Sequence, residues 1–416
     1  MAITITQQPP ILSPAYGDLV ISVSSNLVVS KFKFKYVYDI FSFNPSTSVT
    51  TYVGRVKQTP NPSGAGMLDL SRYLQNQVDI DILSGSPFNT TGTPQTNNNA
   101  TYYVMCGEEY ANTLYGVVTL YNGNGTALTA TTLSSVSTTT GSTFNGVKQF
   151  EEGFVWNAAP YTGTTGRYLL TNSPRTLYKE TDEYITAAAL YGTYNGNAIP
   201  ISGGTFAQVY NAAGTLLTTY NPISTNFTSS FMRTLYGGVN ISTIVSGYTN
   251  TWNKIVFRLG SGNQTEALTI YNKGCPWDKY DPKDVIWLNR LGGWDTFRFY
   301  GSKDEEIKIQ RGTYQRAYGT WSSTTYSYNT YERGTSNIKT DLTFEGQVMS
   351  DFLDRDTVNW LGELLTSPVV FFIENGTLLP VNITDSSFKK QVRGNVRLRQ
   401  VSFKYEKSNQ VRTQQQ

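Results

Sequence analysis

Neighbouring carboxylates are the residues in this chain best placed to do chemistry: Glu108-Glu109, Glu151-Glu152, Asp79 with Asp81, and the run Asp304-Glu305-Glu306. A glycosidase needs two carboxyl groups facing each other across a cleft, about 5 to 10 Å apart. Adjacent residues of a strand point to opposite faces, so none of these neighbours makes such a pair alone, and each reads first as a solvated turn. Asp79-x-Asp81 offers oxygen ligands for calcium, but without a glycine-containing acidic loop the signal is weak. The chain has no histidine. That removes the commonest general base and metal ligand, and it excludes Ser-His-Asp and Cys-His nucleophile systems. Cys106 and Cys275 lack CxxC spacing, and two thiols without histidine cannot assemble a zinc site. No GxxxxGK[ST] loop occurs, and "GSGNQT" from Gly260 is a turn. The sequence therefore predicts no catalytic set, no metal site and no cofactor.

Sugar binding is the stronger competitor. The 29 tyrosines and 7 tryptophans supply flat faces for stacking, but tyrosine is equally a strand and interface residue, and that reading is preferred. The formal net charge is +3 with Lys and Arg interspersed, which is not a nucleic-acid-binding profile. The locally basic "FKKQVRGNVRLRQVSFKYEK" reads as a strand pair with a solvated basic face, or as a contact to an acidic partner. No secretory signal and no apolar run of membrane-spanning length is visible, and a reducing cytoplasm is the simplest site of synthesis. Asn-x-Ser/Thr triplets, as at Asn89 and Asn263, are expected by chance in a chain so rich in Asn and Thr.

Such candidates would have to be positioned by strands. Only 15% of the 416 residues are charged, and Thr, Ser, Asn, Gly and Tyr fill the gap, a composition suited to half-buried sheets. Leu19, Ile21 and Val23 fall two apart, as do Phe32, Phe34, Tyr36 and Tyr38, with Lys31, Lys33 and Lys35 toward solvent. A short helix is expected around Leu68 to Leu74, capped by Asp69 or Ser71. Residues 85–100 are low in complexity and read as a mobile loop or a tip held by a neighbour. Strands follow at "TYYVMC" and "LYGVVTLY". The motif Tyr-Asn-x-x-Gly-Thr-x-Leu-Thr occurs at Tyr121 and Tyr210, an offset of 210 − 121 = 89 residues. Each copy reads as a hairpin with its turn at Asn122–Gly125 or Asn211–Gly214. The repeat implies two related sandwiches or one hairpin solution used twice. Near the C-terminus an amphipathic helix carries Val358, Leu361 and Leu365 on one stripe with Leu364 beside it, capped by Ser350 or Asp354 and stopped by Pro368. It packs on a sheet or bridges to a subunit. Asn375-Gly376 is the strongest two-residue hairpin signal in the chain, and the "SNQVRTQQQ" tail is expected to fray. The expected fold is mainly β: multi-domain antiparallel β-sandwiches with a small α+β C-terminal part. The expected division is 1–84, 85–250 and 251–416.

One stretch, "DVIWLNRLGGWDTFRFYG", concentrates two tryptophans, a double glycine and an Asn-Arg pair. Strand "ALTIYN", strand "DVIWLN", a reversal at Gly292-Gly293 and strand "WDTFRFYG" make a rigid β-meander. Trp287 and Trp294 would dominate its packing, and Asn289 and Asp295 would bond the turn backbone. The run "WLNRLGGWDTFRF" after "CPWD" resembles a signature of virion proteins of tailed bacteriophages, especially crAss-like and related phages of Bacteroidetes. The opening "QPPILSPAYGDLVISVSSN…FKFKYVYDI" and the ending "LLTSPVVFFIENGTLLPVNITDSSF…RLRQVSFKYE" fit the same family pattern, whereas residues 85–250 are unmatched. The resemblance implies a non-enzymatic neck, tail or baseplate protein, synthesised in the host cytoplasm and located in the virion. It also implies a homo-oligomeric ring, six- or twelve-fold, contacting other neck and tail proteins, with no catalytic residues to carry over. Beside the structural motif Trp287, Asn289, Arg290, Gly292, Gly293, Trp294 and Asp295, the helix with Val358, Leu361 and Leu365 is a candidate interface. A carbohydrate-binding tail-tip or fibre protein, and a glycan-degrading virion protein, remain the alternatives.

Overall fold

The chain is mainly β, built as antiparallel sandwiches with a small helical part. The computed structural model describes all residues except 1–2, 82–91, 130–131, 134–137, 223–224, 275–281, 302, 333, 386–398, 410 and 413–416. It divides into two compact units, Met1–Gly274 with Asn289–Asp295, and Cys275–Leu288 with Thr296–Gln416.

The first unit holds two sandwiches. The N-terminal one uses β1 (Ile3–Gln7), β2 (Leu12–Tyr16), β3 (Val20–Ser25), β4 (Phe32–Asn44), β5 (Val49–Gln58) and β6 (Ala65–Asp69). After β7 (Thr93–Pro94), which pairs elsewhere, come β8 (Asn99–Ala111), β9 (Thr119–Asn122) and β10 (Thr138–Val147). One sheet runs β1-β3-β6, the other β2-β10-β8-β4-β5 with β9 also on β8. Leu19, Ile21 and Val23 are fully buried against Tyr36, Tyr38 and Val104. Phe32 departs from the expected alternation: Lys33 takes φ +53° and the pairing with β8 slips between Phe32 and Lys35. The bulge turns Phe32 out to solvent while Phe34 stays inside. Asp69 ends β6 and accepts the Ser71 backbone N–H at 3.0 Å, so the helix is confined to Ser71–Leu74 and Leu68 belongs to the strand. Val117 lies outside β9 and is exposed.

The second sandwich uses β11 (Thr176–Lys179), β12 (Tyr184–Tyr194), β13 (Asn197–Ile199), β14 (Ile201–Ser202), β15 (Thr205–Tyr210) and β16 (Leu216–Tyr220). It continues with β17 (Asn226–Phe227), β18 (Arg233–Asn240), β19 (Lys254–Leu259) and β20 (Leu268–Asn272). Its sheets run β11-β20-β19-β15-β16 and β13-β12-β18-β7, with β14 and β17 as a separate pair. In chain order, β2, β3, β4, β5, β6, β8 and β10 correspond to β11, β12, β15, β16, β18, β19 and β20. In both sandwiches the first of these strands pairs parallel with the last. The shared order is of the kind found in variable-type immunoglobulin sandwiches.

The Tyr-Asn-x-x-Gly repeat does not mark this correspondence. Both copies form the same turn. Gly125 N–H donates to Asn122 O at 2.8 Å and Gly214 N–H to Asn211 O at 3.0 Å, with φ +82° and +79°. Yet Asn211–Gly214 joins β15 to β16, while Asn122–Gly125 follows β9, an extra strand on β8 that the second sandwich lacks. The turn is one local solution used twice, and the two sandwiches are related through strand order instead.

The sheet of the first sandwich spans the expected boundary at residues 84 and 85, because β8 and β10 pair with β4 and β2. The described part of the 85–100 stretch is structured: β7 pairs with β18, and Gln95, Asn98 and Asn99 are buried. Its Asn and Thr side chains supply the hydrogen bonds that a buried connection requires.

Among its described residues the second unit has one large sheet, a two-stranded pair of β24 and β25, and one helix. Its strands are β21 (Lys283–Leu288), β22 (Trp294–Phe299), β23 (Lys303–Gln315), β24 (Thr320–Trp321), β25 (Tyr326–Ser327) and β26 (Thr335–Met349). They are followed by β27 (Val370–Glu374), β28 (Thr377–Ile383), β29 (Ser402–Lys407) and β30 (Val411–Arg412). The sheet order is β22-β21-β27-β28-β29-β26-β23, with β30 on β26. The expected three-strand meander is not formed, since β20 completes the second sandwich, where Leu268 and Ile270 fill the core. The helix Arg355–Thr366 starts at Asp354, whose carboxylate accepts the Thr357 N–H at 2.8 Å.

Candidate functional site

The chain re-enters the first unit at Asn289–Asp295, and there the motif acts as a wedge. Leu291 is fully buried in a core with Leu12 and Phe144 of the first sandwich and Ala188, Leu190 and Met232 of the second. Asn289 shapes the loop: its Oδ1 accepts Leu291 N–H at 3.0 Å and Gly293 N–H at 2.9 Å. Its Nδ2 donates to Leu170 O at 2.8 Å. Gly292 sits at φ +77°, and a Cβ there would lie 2.0 Å from Asn145 O. A Cβ on Gly293 would lie 2.5 Å from Leu170 O. The double glycine thus lets the backbone approach both sandwiches closely, in addition to making the turn.

Polar contacts finish the wedge. Val147 N–H donates to Arg290 O at 2.8 Å, and Arg290 Nη1 reaches Val147 O at 3.1 Å and Glu152 at 3.0 Å. Thr171 Oγ1 donates to Asp295 at 2.8 Å, which ties Asp295 to the connection between the two sandwiches. Beside the wedge, Asn98 Nδ2 donates to Thr234 Oγ1 at 2.9 Å, and Thr234 Oγ1 to Asn99 Oδ1 at 2.8 Å. Trp294 is 2% exposed. Trp287 belongs to the second unit, where its ring lies 5.1 Å from that of Trp360 on the helix.

The carboxylates are dispersed. Glu108 is fully buried and its oxygens find no hydrogen-bond partner among the described residues. Burial pushes its carboxyl above the ordinary range. Its neighbour Glu109 points the other way, to Lys57. Asp81 accepts Thr96 Oγ1 and Asn97 N–H, both at 2.8 Å, and so fastens the connection into β8. Glu152 pairs with Arg290 as above. Burial alone would raise Glu305, but the Lys303 ammonium and the Tyr405 hydroxyl hold it below the usual carboxylate range. Asp304, Glu306, Lys308, Glu345 and Lys404 line an open depression of about 340 Å³. Among the described residues no group of three His, Cys, Asp or Glu could hold a metal ion. Cys106 is a free buried thiol pushed up to about 12 by burial, and Cys275 lies outside the described residues, as does Asn89.

No family model matches this sequence, and no curated protein matches it. Among solved structures it is similar to trypsin-activated alpha-2-macroglobulin from Escherichia coli. The identity is 8% and the TM-score 0.23, over 86% of this chain and 27% of that one. A likeness that low carries no argument.

The remaining sequence candidates serve the fold. Asn375 and Gly376 take φ +52° and +75° and join β27 to β28. On the helix Val358, Trp360, Leu361 and Leu364 are buried within the second unit and Leu365 is only partly so. Trp360 packs against Trp287 and Phe297 of its own unit. The feature that sequence reading missed is the arm formed by β23 and β26, paired from Lys303↔Val348 to Gln315↔Thr335. Its tip, with β24 and β25, sets Trp321 tilted against Tyr326 at 4.4 Å. The run "YGTWSSTTYSYNTY", aromatics between turn formers, was the signal for it.

Proposed function

We propose that this chain is a non-enzymatic structural subunit of a tailed-phage virion, a ring or adaptor component of the neck, tail or baseplate. One observation carries this reading. The motif that bears the family resemblance is a buried wedge whose polar side chains are committed to holding two sandwiches together. Residues used that way are not free to bind or turn over a substrate. Of the carboxylates that first suggested hydrolysis, Glu108 is buried singly and Asp81 and Glu152 are tied into connections, while the run Asp304-Glu305-Glu306 lies on β23 beside Lys303 and Lys308. A long exposed arm adds the kind of surface that assembly modules present. The test is mass: light scattering on the purified protein, alongside its copy number in intact particles. A closed six- or twelve-fold species is expected. A monomer or trimer with particle copies in multiples of three would overturn the ring assignment in favour of a fibre.

A second reading, a glycan-contacting tail tip or fibre, is favoured by Trp321 and Tyr331, which are 76% and 79% exposed at the arm's tip. It predicts glycan-array binding that Trp321→Ala abolishes.

A further inference from the structure

We infer that the β23–β26 arm is the element by which one copy of this chain grips the next, and that it seats on the loop bearing Phe150. The inference rests on the structural-subunit reading and names its partner surface.

The arm is long and uncovered. β23 has 13 residues, about 40 Å at the rise of an extended strand. It ends its sheet, and among the described residues no strand pairs with its outer edge. Beyond β30, which pairs with β26 at Asp341 and Leu342, the arm is a two-stranded ribbon, which is marginal in water and needs cover. Long uncovered edges are what natural proteins avoid unless something pairs with them.

The arm has one apolar face. Residues opposite each other across a ladder share a face. Ile307 lies opposite Phe344 and Ile309 opposite Leu342. Two residues back, Glu305 lies opposite Gly346, which faces Tyr405 on β29. Tyr405 is buried against Phe372 at 4.6 Å. The face that forms the unit's core therefore continues onto the arm, where Ile307 and Ile309 are about half exposed. On the opposite face Lys308 pairs with Glu345. At the arm's tip Trp321, Tyr328 and Tyr331 are also exposed, and aromatic side chains carry about 150–250 Å² each. Monomers rarely expose patches beyond about 300–600 Å², and one side of a standard interface buries about 800 Å².

The occupant is argued from a second surface. Phe150 is 96% exposed, with Phe154 and Val155 exposed beside it. The loop that presents them is fastened. Lys148 Nζ donates to Gly153 O and Phe154 O, both at 2.9 Å, and Gln149 N–H donates to Glu152 at 2.9 Å. A phenyl ring held out on a hydrogen-bonded loop is preorganised for a partner. Two different apolar surfaces on one chain fit a head-to-tail contact, in which each copy uses both and the ring closes by rotation.

The experiment uses the full chain. Ile309→Asp and Trp321→Ala are compared with the parent by light scattering, with a thermal melt to establish that each folds. Ile309→Cys copies are then mixed with Phe150→Cys copies, both carrying Cys275→Ser, under mild oxidation. The expected result is an oligomeric parent, arm variants that melt like the parent's single chain but run at its mass, and a disulfide that forms only in the mixture. Arm variants that still assemble would overturn the inference and leave the subunit reading standing. So would crosslinking of Ile309→Cys to itself, which means arm-to-arm pairing. Loss of glycan binding without loss of assembly overturns it in favour of a sugar-contacting arm. A parent that stays monomeric in solution and is absent from particles overturns the subunit reading itself.

Discussion

Trp294 is 2% exposed and Trp321 76%. Each stands in a β-hairpin among glycine, aromatic and polar residues, one beside the Asn289–Asp295 wedge and the other on the β23–β26 arm. In the wedge, Asn289 makes three hydrogen bonds and two glycines meet neighbouring backbone. On the arm the comparable aromatics meet each other, Trp321 tilted against Tyr326 and Tyr318 edge-on to Tyr328 at 5.9 Å. The difference shows that residue type sets what a hairpin can do and neighbours decide what it does. The wedge is a hairpin whose partners are in the same unit, whereas the arm's aromatics stay largely exposed.

The largest expected effect is in the wedge. Gly292→Ala forces a non-glycine residue to φ +77° with its Cβ 2.0 Å from Asn145 O. We expect a loss of about 3–5 kcal/mol, beyond what backbone strain alone gives. Gly376→Ala is the control: it has nearly the same φ, +75°, with nothing within 4 Å of the new Cβ. It should cost only about 1 kcal/mol. Denaturant melts of both separate close packing from conformation. Equal losses would mean that the wedge is loosely seated and the comparison fails.

Asn289→Ala comes next. It strands Leu170 O and the N–H groups of Leu291 and Gly293 inside the first unit. Unsatisfied buried groups cost about 1–3 kcal/mol each, partly recovered by relaxation, so a loss of about 3 kcal/mol is expected in the same melts. Asn289→Asp keeps both acceptor contacts and loses only the bond to Leu170 O, and should recover part of the stability.

This is also where the sequence was most and least informative. The sheet class, the Leu19-Ile21-Val23 strand and the Asn375-Gly376 hairpin were legible because period and turn chemistry are local. That Asn289 bonds Leu170, 119 residues away, was not legible, since nothing in either stretch names the other. The Tyr-Asn-x-x-Gly repeat left two readings open for the same reason: a turn motif reports its own four residues and not which strand it follows. Strand order, which relates the two sandwiches, is written only in long-range pairing.

Glu108 is a buried carboxyl in the first unit, and Glu108→Gln reads it out. Its folded pKa lies above the unfolded value of 4.5, so the native state holds the proton more tightly and stability falls as pH rises from the unfolded toward the folded value. Glu108→Gln should therefore stabilise at pH 7, by about 1 kcal/mol. The gain should vanish below the unfolded value, where the parent carboxyl is protonated in both states. Paired melts at pH 4 and pH 7 check it. A gain independent of pH would mean that packing, not charge, is at issue.

The smallest effect on stability belongs to the arm, and its smallness is the point. Ile309 is about half exposed and faces solvent in the single chain, so Ile309→Thr should change the unfolding free energy of the dilute protein by no more than about 0.5 kcal/mol. The same substitution should matter once copies associate, because a contact made only in the assembly stabilises by mass action. The melting temperature of the parent should climb with protein concentration, and that of the variant should climb less. A variant that parallels the parent at every concentration would place Ile309 outside the contact, and the apolar face of the arm would then need another reason to continue uncovered beyond the core.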